Sequence, residues 1–161
     1  MANSECRKKR PRIAVVGMGN LLLKDEGIGV HVAQAMQEAA MENGSDLQIV
    51  DGGTSPDVLL SLEEVDKLII IDAAEGDCEP GTIYRLGPEE LPQNDAGMTS
   101  LHEVSLTQSL QILDKFGLKP KKVVIFGVQP KEIDWGTEPS AELGQKIPEM
   151  VRLVLEEARK C

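Results

Sequence analysis

The residues best equipped for chemistry in this chain are acids and histidines set beside glycines. Gly17-Met18-Gly19 opens a loop that runs through Asp25-Glu26-Gly27-Ile28-Gly29; Asp51-Gly52-Gly53-Thr54 and Asp72-Ala73-Ala74-Glu75 follow, and His102 stands further on. Glu26, Asp72 and His102 lie in three separate segments. Two carboxylates and one imidazole form a hard-to-borderline ligand set that accepts nickel, zinc, iron or manganese. Three protein ligands also leave coordination positions open, as a catalytic or metal-sensing site requires. Each residue has an ordinary reading as well. Asp25 and Glu26 suit the first turn of a helix, where acids favour the dipole. Asp72 suits a strand-end turn, and His102 a surface or capping position.

Other chemistries fit less well. Gly17-Met18-Gly19 supplies two glycines of a G-x-G-x-x-G dinucleotide loop, but the third position is Leu22. Asp25 and Glu26 would also repel a pyrophosphate at the helix that follows. No G-x-S-x-G elbow and no H-E-x-x-H pair is present. Cys6, Cys78 and Cys161 are odd in number and widely spaced, which indicates neither a disulfide framework nor a structural zinc site. His31 falls on a helix face and reads as a partly buried packing residue.

These groups need elements to hold them. Ile13–Val16, Leu47–Val50, Lys67–Ile71 and Lys122–Phe126 are short aliphatic runs of the kind that form buried strands. Thr82–Leu86 alternates as an edge strand does. Residues 27–42 and 102–116 carry apolar residues at helical spacing, and Pro56–Leu62 suits a short helix with Ser55 as cap. Ala141–Lys160 is a final helix that Gly144 and Pro148 should break. Strands alternating with helices predict a three-layer α/β/α sandwich with a mostly parallel, twisted sheet of about five strands. In such a sheet ligands sit outside the carboxyl ends of the strands. That rule selects the three acidic loops.

Composition bounds the partners. The chain has 161 residues, enough for one domain, and a formal net charge of −10. Residues 1–12 carry +4, leaving −14 on the rest. This surface would repel nucleic acid and anionic membranes. The aromatic residues are Tyr84, Phe116, Phe126 and Trp135 alone, too few for a base-stacking platform. The organisation expected is a basic disordered tail over 1–11 and a single α/β domain over 12–161. The tail lacks the apolar stretch of a signal peptide, no run reaches membrane-span length, and the chain reads as cytoplasmic.

Taken together, five segments resemble the hydrogenase maturation proteases. They are VVGMGNLLLKDEGIGVHVAQAM (15–36), IVDGGTSPDVLL (49–60), LIIIDAAEGDCEPGTIYRL (68–86), MTSLHEVSL (98–106) and VVIFGVQPKEIDWGTEPSAEL (123–143). The first is the most specific, because G-x-G-N-x-L-x-x-D-E-G-x-G is far longer than a generic glycine loop. The resemblance implies a twisted sheet between helices and a cytosolic endopeptidase. It also implies removal of a short C-terminal extension from a nickel-iron hydrogenase large-subunit precursor after nickel insertion. The family's metal-contacting residues fall on Glu26, Asp72 and His102. The metal expected is nickel, supplied by the substrate, with no nucleotide, and the protein is expected to act as a monomer.

Two mechanisms remain open on these residues: a metallopeptidase using metal-bound water, or engagement of nickel already held by the precursor. The second is preferred. Asp51 is the candidate general base or nucleophile, although a carboxylate closing a tight turn is an equally good reading. Gly52, Gly53 and Thr54 are the expected substrate-binding residues, since glycines let another backbone approach closely. A non-catalytic checkpoint protein that binds nickel-loaded large subunit without cutting it is the alternative from another functional class.

Overall fold

Each aliphatic run becomes a strand, and most run further than their apolar residues do. The computed structural model describes residues 11–43, 46–62, 64–90 and 103–160. The strands are β1 (Ile13–Met18), β2 (Gln48–Gly53), β3 (Lys67–Ala73), β4 (Ile83–Leu86) and β5 (Lys122–Val128). Asp51 and Asp72 therefore lie inside strands rather than in the loops after them. The physical reason is ladder pairing, which continues past the hydrophobic residues: Asp51 pairs with Gly17 and Asp72 with Gly127.

The sheet order is β2-β1-β3-β5-β4. Neighbours are parallel except β4, which runs antiparallel to β5 at the edge. All seven residues of β3 are buried, as both-face coverage requires. On one face Val15, Ile69, Ile71, Val124 and Phe126 pack with helices α1 (Ile28–Asn43) and α4 (Ile147–Arg159). On the other face Val16, Leu68, Ile70 and Ile125 pack with helix α2 (Glu103–Lys115) and the short 3-10 helix Pro56–Ser61. This is the three-layer α/β/α sandwich the sequence predicts. Each fully buried Leu, Ile or Val contributes roughly 1.5–3 kcal/mol, so the two layers of side chains carry most of the stability.

The final helix breaks as expected. A short α3 (Ala141–Gly144) ends before Gln145, and Pro148 sits in the first turn of α4, where its missing N–H costs nothing. Ser55 makes no side-chain cap bond to the helix that follows it. The expected basic tail lies outside the described residues apart from Pro11, which is exposed. Cys78 is a free, exposed thiol, and among the described residues no helix is long and apolar enough to cross a membrane.

At the amino end of the sheet one carboxylate gathers several cations. Glu157 of α4 is almost fully buried and meets Arg85 at 2.9 Å, Lys67 at 3.1 Å and Lys122 at 3.8 Å. Arg85 donates through both Nε and Nη2. Lys67, buried at the start of β3, also donates to the backbone carbonyls of Glu157 and Lys160. These bonds tie β3, β4, β5 and α4 together far from the acidic loops.

Candidate active site

The carboxyl end of β1 is where the chain concentrates its special backbone. Gly19 has φ +146°, and Lys24, a non-glycine, has φ +46°. Lys24–Gly27 forms one 3-10 turn, and α1 starts only at Ile28. Gly29 lets the start of that helix rest on the strand ends: a Cβ there would lie 2.2 Å from the Ile71 carbonyl oxygen and 2.3 Å from that of Met18. The turn carrying Asp25 and Glu26 is thereby packed against β3, the strand that carries Asp72.

The two neighbouring acids do different things. Asp25 is completely buried and satisfied by its own chain. Its Oδ2 accepts from the N–H groups of Lys131 (2.9 Å) and Glu132 (2.8 Å) and from the Ser140 hydroxyl (2.8 Å); its Oδ1 accepts from Ser140 N–H (2.6 Å). Burial pushes its pKa up, but the N–H groups of Glu132, Ser140 and Lys131 outweigh burial and hold it below the usual carboxylate range. Backbone bonds complete the seam. Lys24 N–H donates to the Gly136 carbonyl, Gly136 N–H to that of Leu22, and Asp25 N–H to that of Glu132. The long loop leaving β5, residues 129–140, is thus strapped onto the Asp25-Glu26 turn.

The same loop also holds the segment after Asp72. Gln129, buried at the end of β5, accepts at Oε1 from Gly76 N–H and Tyr84 Oη–H, both at 2.8 Å. Its backbone pairs with Gly81 and Thr82. The Tyr84 hydroxyl is pushed up to about 12 by burial and by its hydrogen bond with Cys78. It is a structural donor at neutral pH, not an acid-base group.

Glu26 and Asp72 are 5% and 6% exposed, both at the carboxyl edge. Asp72 accepts from its neighbour Ala73 N–H at 2.8 Å. His102 lies outside the described residues, as does the 98–102 approach to α2. Among the described residues no group of three or more His, Cys, Asp and Glu is placed to hold a metal.

Asp51 stands apart from the other two. It is exposed, and its Oδ1 accepts from Gly53 N–H at 3.0 Å, closing a short turn. Strand alternation sets it on the face of Ile49, whereas Asp72 continues the face of Leu68 and Ile70. With β1 between them, their strands are about 9.5 Å apart. The two carboxylates share an edge but leave the sheet on opposite faces. Gly52 is needed by the fold itself, since a Cβ there would lie 2.6 Å from Met18 Sδ. Gly53, with φ +55° and open space around its Cα, leaves room for an approaching backbone, and Thr54 beside it is exposed. His31 is half-buried, and burial lowers its pKa.

The sequence alone points to no task for Asp25 beyond the helix dipole, and to none for Gln129 or the 129–140 loop. One signal was available: a stretch containing Pro130, Gly136 and Pro139, without periodicity, at the carboxyl end of a buried strand. Asp25→Asn tests the strap. The amide turns one acceptor into a donor facing donors, which costs roughly 1–3 kcal/mol. The melting temperature should fall by several degrees, and the amides of Lys131, Glu132 and Ser140 should lose hydrogen-exchange protection. Because the folded-state pKa is depressed, this contribution is complete above about pH 4 and is lost as pH falls through the lowered value.

A five-stranded, mostly parallel sandwich is the architecture of a known class of endopeptidase. HybD, the hydrogenase-maturating endopeptidase from E. coli, matches with a TM-score of 0.79 and 31% identity over 92% of each chain. The hydrogenase 2 maturation protease of Escherichia coli K12 is 35% identical over 148 residues, covering 91% of this chain and 87% of that protein. The hydrogenase expression/formation protein HupD of Rhizobium leguminosarum bv. viciae is 36% identical over 141 residues, covering 86% and 69%. A family profile described as HycI, hydrogenase maturation protease, matches residues 30–157. The chain belongs to the hydrogenase maturation protease family, and so to the endopeptidases.

Proposed function

We propose that this protein removes the C-terminal extension of a nickel-iron hydrogenase large-subunit precursor once nickel has been inserted. The supporting observation is the pair of buried acids, Glu26 and Asp72, held on adjoining segments of the carboxyl edge by a hydrogen-bonded frame. Carboxylates are hard ligands suited to a divalent cation with open positions. Together with His102 they would contact nickel that the precursor carries. The nickel belongs to the substrate, and an unmetallated precursor offers nothing for these ligands to engage.

Peptide hydrolysis itself needs a base and a water. Asp51 is the candidate, an exposed carboxylate with one oxygen fixed by Gly53 N–H. It takes a proton from water as the oxygen attacks the scissile carbonyl. As the C–N bond breaks, it returns the proton to the leaving amine. Gly52, Gly53 and Thr54 line the approach. A surface of net charge −10 would favour an extension of positive charge over one of negative charge.

Mass measurement on the precursor before and after incubation tests the reading. Loss of the extension is the expected result; an intact precursor that nonetheless co-elutes with this protein would make it a checkpoint factor. Asp51→Asn should slow cleavage by about 10²-fold or more. Cleavage at the normal rate would remove Asp51 from the mechanism.

A further inference from the structure

Phe116 and Leu118, just past α2, are 75% and 61% exposed, and a second set of exposed large hydrophobic side chains gathers beside the acidic turn after β1. Leu22, Ile133 and Trp135 are 56%, 51% and 77% exposed, and all three belong to the two segments that meet beside the Asp25-Glu26 turn. Leu22 and Trp135 are brought together by a bridge between Leu23 and Gly136, with Gly136 N–H donating to the Leu22 carbonyl at 2.9 Å. Trp135 is the sole tryptophan of an aromatic-poor chain. Exposed tryptophan beside leucine and isoleucine is the composition of an interface anchor rather than of ordinary surface.

Two further features say what would cover it. The loop is fastened at both ends in the free protein, because Asp25 accepts from the N–H groups of Lys131 and Glu132 before it and of Ser140 after it. Preorganisation lowers the ordering cost of binding. The charge around the patch is negative: Lys24 is engaged by Glu132 and Lys131 by Glu142, while Asp134 and Glu138 add two more exposed acids. A second copy of this chain, itself at −10, would meet that rim with like charge.

We propose that Trp135, Leu22 and Ile133 form the specificity surface for the precursor, docking an apolar stretch flanked by lysine or arginine next to the segment to be cut. This rests on the proposed function and extends it from the reaction to substrate selection. Trp135 lies on the loop strapped to the turn that bears Glu26. Docking there delivers the precursor's metal and its extension to the carboxyl edge together.

The lone tryptophan makes the test direct. Protein labelled with 5-fluorotryptophan gives one fluorine resonance, from Trp135. Adding nickel-loaded precursor should shift that resonance and abolish its dependence on H2O against D2O. Trp135→Ala should raise KM for the precursor about 30-fold, as loss of an interface anchor does, with the effect falling on KM rather than kcat. Trp135→Phe should restore most of it. Processing that proceeds while the resonance keeps its solvent dependence, or an unchanged KM, overturns the docking surface and leaves the proposed function intact. A resonance that moves with this protein's own concentration would assign the patch to self-association, which also overturns it. Failure of unlabelled wild-type protein to process any precursor would instead remove the proposed function, and this surface with it.

Discussion

Glu26→Gln is expected to abolish precursor processing, with kcat/KM falling on the order of 10³-fold, about 4 kcal/mol, while the melting temperature stays within a few degrees of wild type. Asp25 is fully engaged with Lys131, Glu132 and Ser140, so its replacement should act first on stability. Glu26 is buried in the same turn at the strand ends. Glutamine preserves its volume and removes its charge, and removing a buried charge relieves a desolvation cost. A structural acid would lose stability and activity in parallel. A ligand to the substrate's metal loses activity alone. Thermal unfolding and processing measured on the same preparation separate the two, and a large fall in melting temperature that tracks the loss of activity would return Glu26 to a structural role.

Glu157→Ala is expected to do the reverse. Its carboxyl is held at about 2, against an ordinary 4.5, by the Arg85 guanidinium first and by Lys67 second, both against the upward push of burial. Arg85 and Lys122 are half-exposed and can be rehydrated when the partner is lost, whereas Lys67 is 6% exposed and cannot. Leaving that ammonium buried without its counter-charge, held by the backbone carbonyls of residues 157 and 160 alone, dominates the cost, about 3–5 kcal/mol, or roughly 10 °C for a chain of this size. Processing at 20 °C should be unaffected, since Lys67 and Lys122 open their strands at the end of the sheet opposite the acids. Replacing both partners, Lys67→Met with Glu157→Leu, should recover most of the loss, because no charge is then left in the core. The pH dependence follows from the sign of the shift. A depressed carboxylate stabilises above its unfolded pKa, so wild-type stability should be complete above about pH 4.5 and lost as pH falls through 2. The Ala variant should show a flatter acid limb. Equal acid limbs in circular-dichroism melts would mean that the cluster does not couple to folding.

The contrast between the two ends of the sheet also explains what the amino-acid order made legible. The inner strands β1, β3 and β5 are aliphatic runs because they are buried along their length, and Lys67–Ile71 is the clearest since β3 is central. The break before α4 was legible in Gly144 and Pro148. Strand ends were not, because Asp51, Gly52, Gly53, Asp72 and Ala73 join the sheet through pairing partners rather than through their own hydrophobicity. The D-E-G turn could be found, but its division of labour could not. Asp25's partners lie 106 to 115 residues away, and no local pattern reports a bond of that reach. Trp135 likewise reads as one aromatic in a polar loop until the Leu23–Gly136 bridge sets it beside Leu22.

On the proposed function, cleavage waits for nickel in the substrate. The most direct test incubates the protein with two preparations of one large-subunit precursor, nickel-loaded and nickel-free, and reads the mass of each before and after. Loss of the C-terminal extension from the nickel-loaded precursor alone is the predicted result. Equal cleavage of both would contradict gating by nickel and remove the role proposed for Glu26, Asp72 and His102.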